Sequence, residues 1–209
     1  MHPATPERIP HVGELRGSVI VLHGYGANGA VHRGDGRAFG GDGIEVLLPD
    51  APGHGRRDDG RLERIARLDE AERRAAIVGL ARDWIPELRR LACECRARGA
   101  RRVVLVGISM GGFAALGALR PPCSFDAIAA LLAAPHLIDD EQVERDHAPL
   151  LLGLAGRDQA VPPAPGRAFA QRHGAELFEY PDSEHLMRGE DWHDLWGRTA
   201  AFVQRHVQA

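Results

Sequence analysis

A single serine stands between glycines in the stretch VVLVGISMGG, at the end of an apolar run. Gly107, Ser109 and Gly111 form the pattern Gly-x-Ser-x-Gly, which is typical of a sharp turn between a strand and a helix. Small residues let the backbone turn tightly, and the helix that follows directs the positive end of its dipole towards the serine oxygen. The pattern therefore predicts a hydroxyl that is displayed for nucleophilic attack, and its place at a strand-to-helix junction argues against a chance match.

A serine hydroxyl is a weak nucleophile alone, so this chemistry requires a base and a group that orients the base. Two downstream loops supply candidates, because GRDQAVPP contains Asp158 and YPDSEHLM contains His185. Each loop follows a predicted strand, and strand ends at one edge of a parallel sheet converge in space. The order serine, acid, histidine predicts Ser109 as nucleophile, His185 as base and Asp158 as the orienting group.

Other acids and histidines have more ordinary explanations. Three histidines lie on predicted helices, where a packed or exposed role is the default: His173, His193 and His206. Asp182 and Glu184 flank His185 on its own loop, where a turn-forming Asp and a solvated Glu are the better interpretation.

The oxyanion of a tetrahedral intermediate needs backbone donors, and the stretch LHGYGANG after the first predicted strand can supply one. Gly24 and Gly26 permit a tight turn, so the Tyr25 amide is expected to point at the same spot as the Met110 amide. The alternative is an ordinary strand-ending turn. His23 is predicted to brace this loop by hydrogen bonds rather than to do chemistry.

Six short runs bounded by turn signals predict strands: SVIVLH, IEVLLPD, RRVVLVG, DAIAALLAA, APLLLGLAG and AELFEYP. All but the last are continuously apolar, as strands buried on both faces of a parallel sheet are. Helical periodicity is clearest over residues 69–98, and further helices are predicted over 111–119, 164–173 and 191–206. This alternation predicts an α/β fold, with a mostly parallel sheet of about six strands and helices on both faces. The glycine-rich loop 27–43 should hold only short helix.

Composition limits the size of the fold and the partners it can take. The 209 residues are 44% hydrophobic and can bury one good core, so we expect a single domain over residues 1–209. The net charge of -3 comes from interleaved basic and acidic residues, which predicts neither a nucleic-acid nor a membrane partner. The longest apolar run, 127–135, is too short to cross a bilayer and the N-terminus lacks a signal-like pattern, so we expect a cytoplasmic protein. Three cysteines show neither a disulfide framework nor a metal-ligand spacing, so we expect no cofactor and no metal.

Several motifs together resemble the α/β-hydrolase superfamily: HGYG, PDAPGHG, GISMGG, the Asp158-x-x-Val161-Pro162 pattern and His185. The resemblance runs from Val19 to the C-terminus. Within the superfamily, PDAPGHGRR and GISMGGFAALGAL look most like small bacterial serine carboxylesterases of the dienelactone-hydrolase-like and prolyl-oligopeptidase-like group. The resemblance implies hydrolysis of esters or related acyl bonds, with Ser109 as nucleophile.

Three departures from the family pattern stand out. Only 17 residues precede the first predicted strand, so the two leading antiparallel strands common in the family should be missing or vestigial. The family's Asp-x-x-Gly-x-Gly-x-Ser loop begins at Asp50 and has Arg57 where serine is usual. The nucleophile position holds serine rather than cysteine or aspartate, which sets aside the reactions of dienelactone hydrolase and of haloalkane dehalogenases.

The sequence therefore predicts a cofactor-free serine hydrolase acting on a small-molecule acyl substrate, an ester in the first place. A thioesterase, a small amide or peptide hydrolase, and a non-catalytic binding module on the same fold are the alternatives. The sequence leaves the physiological substrate and the oligomeric state open, a homo-oligomer included. The segment 135–149 is a short, polar cap, which predicts a preference for short acyl chains unless loop 27–43 or a partner subunit supplies the missing walls.

Overall fold

A seven-stranded sheet organises the computed structural model, which describes residues 5–144 and 146–208. The strands are β1 (Glu7–Ile9), β2 (Val12–Leu22), β3 (Asp42–Leu48), β4 (Arg102–Ile108), β5 (Ala127–Leu131), β6 (Leu150–Ala155) and β7 (Glu176–Tyr180). Their order across the sheet is β1-β3-β2-β4-β5-β6-β7. All neighbours pair in parallel except β1, which runs antiparallel to β3.

Helices cover both faces of this sheet. They are α1 (Arg33–Gly36), α2 (Arg61–Ala66), α3 (Glu70–Ala97), α4 (Met110–Gly117), α5 (Pro163–Arg172) and α6 (Gly189–Val207). Successive side chains of β2 enter opposite core layers, since Ile20 and Leu22 pack in one and Val19 and Val21 in the other. The first layer contains buried side chains of α3, α4 and α5, and the second contains those of α6. This is the mostly parallel α/β architecture that the sequence predicts.

The strand count is higher than the six predicted, because β1 was not recognised. Its three residues, Glu-Arg-Ile, carry no hydrophobic alternation, and only their pairing with the outer edge of β3 defines them as a strand. One short antiparallel strand is thus present at the N-terminal end. The six-residue helix α2 was also missed, since it is too short to show helical periodicity.

Helix α3 is the longest element and brings its first turns to the functional edge of the sheet. Asp69 caps it, accepting a hydrogen bond from the Glu72 amide while the Glu72 carboxylate accepts from the Asp69 amide. Leu80, Trp84 and Leu88 recur at spacings of four and are buried against the sheet. The predicted helix over 69–98 is therefore confirmed, and it continues through its internal proline.

The two segments expected to hold little structure do so where they are described. Loop 27–43 contains a 3-10 helix at Gly29–His32 followed by the four-residue α1. Within segment 135–149, only a 3-10 helix at Asp140–Gln142 forms among the described residues. Across the described part of the chain, no helix combines the length and apolarity needed to cross a membrane.

Candidate active site

Ser109 lies at the sharp turn between β4 and α4, and the two glycines around it are required by close contacts. Its φ of 54° and ψ of -115° lie in a region that residues with a side chain rarely adopt. A β-carbon on Gly107 would lie 2.2 Å from the carbonyl oxygen of Gly111, and one on Gly111 would lie 2.7 Å from Cβ of Leu22. The Ser109 amide donates to the Leu131 carbonyl at 2.8 Å, which ties the turn to β5.

Because the backbone at Ser109 is strained, we expect a side chain at this position to lower the free energy of unfolding. We expect the free energy of unfolding of Ser109→Gly to be about 1 kcal/mol higher than that of Ser109→Ala, because glycine adopts the positive φ without steric conflict. Urea denaturation of the two variants measures the difference. As a control, Ala75→Gly on the exposed face of α3 should lower the free energy of unfolding by about 1 kcal/mol. Equal stability of the two Ser109 variants would show that the turn holds no strain.

The structure brings the three predicted side chains into one hydrogen-bonded line. Ser109 Oγ lies 2.9 Å from His185 Nε2, and His185 Nδ1 lies 2.6 Å from Asp158 Oδ2. The other carboxylate oxygen of Asp158 accepts the Val161 amide at 2.8 Å. Because the carboxylate only accepts, the Nδ1 of His185 carries the proton, which leaves Nε2 free to accept the serine proton. The Asp158 side chain is 1% exposed and that of His185 23%, so the acid is buried while the base faces the solvent side.

Contacts between the two loops after β6 and β7 hold the acid beside the base. The Gly156 amide donates to the Tyr180 carbonyl at 2.8 Å, and the Arg157 amide donates to the Ser183 carbonyl at 2.9 Å. A β-carbon on Gly156 would lie 2.5 Å from the Pro181 carbonyl oxygen, so only glycine permits this approach. Adjacent parallel strands thus place residues that are 27 positions apart in direct contact.

The loop after β2 lies directly beside the serine. A β-carbon built on Gly24 would lie 4.0 Å from Ser109 Oγ, and Gly26 has a φ of 78°, which forms the tight turn. The Met110 amide belongs to the first turn of α4. Neither this amide nor that of Tyr25 donates a hydrogen bond to any described residue. Two N–H groups without a described acceptor therefore belong to the residues that follow Gly24 and Ser109.

Two buried histidines brace this loop, and both must be neutral to do so. His23 Nδ1–H donates to the Gly24 carbonyl at 2.8 Å, while its Nε2 accepts the Ala51 amide at 3.0 Å. His54 Nδ1–H donates to the Pro52 carbonyl at 3.0 Å, while its Nε2 accepts the Gly26 amide at 3.1 Å. Burial lowers the pKa of His23 to about 4 and also lowers the pKa of His54. The bracing role predicted for His23 is thus seen in the structure, whereas that of His54, within the motif PDAPGHG, was missed.

The buried, neutral His23 predicts a loss of stability in acid. In the unfolded chain the pKa of His23 is near 6.5, so above that pH the ring is neutral in both the folded and the unfolded state. Its titration then leaves the free energy of unfolding unchanged. As the pH falls from 6.5 towards 4, the unfolded chain takes up a proton that the folded ring refuses, and the free energy of unfolding should fall by about 3 kcal/mol. Replacement by glutamine removes this proton uptake, so the unfolding free energy of His23→Gln should vary less with pH over that range. Denaturation at several pH values measures both slopes.

A matched control for this pH effect is His193→Gln, because His193 lies exposed on α6. Its unfolding free energy should follow the wild-type dependence on pH. If His23→Gln retained the full wild-type slope, the acid sensitivity would come from another group.

Asp50 and Arg57 hold the loop that follows β3. Their contacts account for the arginine at position 57, where the family pattern has serine. Asp50 accepts the Gly29 amide at 2.9 Å and both the amide and the Nε of Arg56. Burial raises the pKa of Asp50, but these hydrogen bonds and the Arg56 charge outweigh it and bring the pKa below its usual value. Arg57 donates to the Asp50 carbonyl at 2.9 Å and to Glu87 on α3 at 2.8 Å. The arginine therefore links this loop to α3.

A cleft of about 570 Å³ opens over Ser109 and His185. Its walls come from five places: the 24–32 loop, the first turns of α3, Phe113 with Leu132 and His136, the loop after β6 at residues 160–161, and the segment 185–192. Val31 and Leu186, which stand at the cleft, are 55% and 74% exposed. Loop 27–43 thus supplies part of the wall. The cleft therefore has walls besides the short, polar segment 135–149, and the preference for short acyl chains remains a prediction.

The side chains judged unsuitable for catalysis have other partners. His173 Nε2 lies 3.0 Å from an oxygen of Asp140, and the His206 ring packs on Phe202. Asp182 is exposed and pairs with Arg157. Cys93, Cys95 and Cys123 are free thiols. In the ranges 5–144 and 146–208, no group of three or more His, Cys, Asp or Glu side chains is arranged to hold a metal ion.

Comparison with known proteins places this geometry in context. The sequence model of the "Alpha/beta hydrolase family" matches residues 19–207. No curated protein sequence matches the chain. Among solved structures, esterase PE8 is similar with a TM-score of 0.72 at 23% identity, over 97% of this chain and 98% of that one. TT1662 from Thermus thermophilus gives a TM-score of 0.67 at 19% identity, over 94% and 91% of the two chains. Zea mays acyl-protein thioesterase 2 gives 0.61 at 14% identity, over 95% and 98%.

Proposed function

Since this chain belongs to the alpha/beta hydrolase family, we propose that it is a serine hydrolase that cleaves small carboxylic esters through an acyl-enzyme on Ser109. The observation that carries the proposal is the hydrogen-bonded line from Ser109 through His185 to the buried Asp158. Two unused amides beside the serine supply the second requirement of acyl transfer, which is a site for the oxyanion.

In the proposed reaction His185 Nε2 takes the proton of Ser109 as its oxygen attacks the ester carbonyl. The charge that develops on the carbonyl oxygen is stabilised by the amides of Tyr25 and Met110. The protonated His185, held by Asp158, then gives its proton to the departing alkoxide. Water attacks the acyl-enzyme by the same route and restores the serine.

Esters are the proposed substrates, and thioesters or small amides are the enzymatic alternatives because the same machinery serves all three. Esterase PE8 and acyl-protein thioesterase 2 share the fold of this chain, and at 23% and 14% identity that likeness does not decide among these substrates. A non-catalytic binding module is disfavoured because an acid, a base and a nucleophile in hydrogen-bond contact serve no binding purpose. The small acyl substrate remains a prediction from the sequence motifs. The absence of a nucleic-acid or membrane partner and a cytoplasmic location remain predictions from charge and hydropathy.

Rates of hydrolysis on a matched ester, thioester and anilide of the same acyl group test the proposal. We expect measurable hydrolysis with kcat/KM highest on the ester, and its loss in Ser109→Ala. Ser124→Ala is the matched control, because Ser124 lies after α4 and outside the cleft. A higher kcat/KM on the thioester would assign the enzyme to the alternative class, and no turnover of any of the three would favour a binding module.

A further inference from the structure

The first turns of α3 form one wall of the cleft. Glu70, Arg73, Arg74 and Ile77 all line it, and their spacing of three and four places them on one face of the helix. Ser109 and His185 line the same cleft. Helix α3 therefore presents charged side chains to whatever molecule reaches the serine.

These charges do not cancel. Glu70 is the one carboxylate among the described residues that line the cleft, and it pairs with Arg74 at 3.1 Å. Arg73 is half-buried and makes no side-chain hydrogen bond or ion pair with any residue in the described ranges. Burial lowers the pKa of both His32 and His136, the latter with help from the Arg74 charge, so these two lining rings are neutral at neutral pH. Among the described side chains that line the cleft, one positive charge is thus unbalanced, while the nearby Asp158 carboxylate does not line the cleft and is bonded to His185.

The Arg73 guanidinium lies within electrostatic range of Tyr25, in the loop after β2. Burial raises the pKa of the Tyr25 hydroxyl, and the positive charge of Arg73 opposes that rise. Apolar side chains share the cleft with it, Ile77 on the same helix face and Trp192 on α6 among them. Apolar walls reduce the screening of a charge by water, so an anion in this cleft would be attracted more strongly than at an open surface.

We propose that Arg73 binds a carboxylate of the substrate, so that the physiological substrates are esters carrying a negative charge away from the scissile bond. A guanidinium presents a planar fork of N–H donors that matches the two oxygens of a carboxylate. A neutral ester would leave the Arg73 fork unpaired in a partly desolvated site. This inference rests on the proposed esterase function and names its substrate class.

The test uses pairs of substrates that differ at one carboxylate, which is free and charged in one member and a neutral methyl ester in the other. On the acyl side, p-nitrophenyl hemiglutarate is compared with its methyl ester, p-nitrophenyl methyl glutarate. On the alcohol side, 4-acetoxybenzoate is compared with methyl 4-acetoxybenzoate, at the acetyl ester. For one of these pairs we expect kcat/KM of the wild-type enzyme to favour the anion by about tenfold or more, which is the size expected of a charge-assisted hydrogen bond. The preferred pair shows whether the carboxylate belongs to the acyl or the alcohol part.

Variants at position 73 assign that preference to the guanidinium. In Arg73→Gln the ratio of the two kcat/KM values should fall to about one, and in Arg73→Lys part of the preference should return because the charge remains without the fork. The change should appear in KM more than in kcat, and rising salt should weaken the wild-type preference. Arg90→Gln removes the same charge from the exposed side of α3 and should keep the wild-type ratio.

Failure of this inference is distinct from failure of the proposed function. If the wild-type enzyme hydrolyses the neutral esters and shows no preference for either anion, Arg73 does not select substrates although the esterase assignment stands. A preference that survives in Arg73→Gln would likewise overturn the role of this residue. Absence of hydrolysis of all four esters would instead contradict the esterase function itself.

Discussion

Replacing either Ser109 or His185 by alanine should lower kcat on p-nitrophenyl acetate by about a million-fold, and replacing both should cost little more. The reason is the direct 2.9 Å contact between Ser109 Oγ and His185 Nε2, through which one proton passes in each step. Without the base the hydroxyl stays protonated, and without the hydroxyl the base has nothing to activate. Steady-state rates of the two single variants and the double variant measure the effect.

Ser124→Ala and His193→Gln serve as controls, since both residues lie outside the cleft and should keep wild-type kcat. Circular dichroism of each variant checks that the fold is intact. Two losses that multiply in the double variant, or near-normal activity in either single variant, would contradict the proposal that the two side chains act as a unit.

Asp158→Ala should lower kcat by about ten-thousand-fold, which is less than the loss at the serine or the histidine. The imidazole survives in this variant, but its Nδ1–H loses the carboxylate that fixes the tautomer and the ring orientation. Asp158→Asn should lose a similar factor, because the amide group can donate to Nδ1 and favour the wrong tautomer. The buried Val161 amide also loses its acceptor in Asp158→Ala, so the alanine variant should be the less stable of the two.

The sharpest control for this acid is Asp182→Ala. Asp182 lies on the same loop as His185, but it is exposed and pairs with Arg157 instead. Its loss should leave kcat near the wild-type value. A large loss at Asp182 together with a small one at Asp158 would show that the acid has been assigned to the wrong loop.

Most of the fold could be predicted because its strands are buried on both faces. Runs such as VVLVG are continuously apolar and therefore identify a parallel sheet, and the apolar periodicity of α3 extends over about five turns, from Ile77 to Cys95. The three side chains Ser109, Asp158 and His185 could be placed together from topology alone, since each follows a different strand at the same sheet edge. Their contact is seen in the structure, and their catalytic roles remain predictions.

Features that depend on distant partners could not be predicted. Strand β1 exists through its pairing with β3 and has no pattern of its own. His54 accepts the Gly26 amide across 28 positions of sequence, and no local signal distinguishes such a brace from an ordinary turn residue. The same holds for Arg73, since helical periodicity shows which residues share a face of α3 but not that this face lines the cleft. Where no motif marks a side chain, its contacts over long sequence separations depend on packing, which the local sequence pattern does not encode.

The central claim, that Ser109 is an activated nucleophile, is tested most directly by covalent trapping with a fluorophosphonate. Folded wild-type protein is treated with the probe, its intact mass is measured, and the labelled peptide is identified after proteolysis. We expect a single adduct per chain on the peptide that contains Ser109, and no adduct in Ser109→Ala or in His185→Ala over the same time. An adduct on another residue, labelling that persists in Ser109→Ala, or a folded wild-type protein that does not react would contradict the claim.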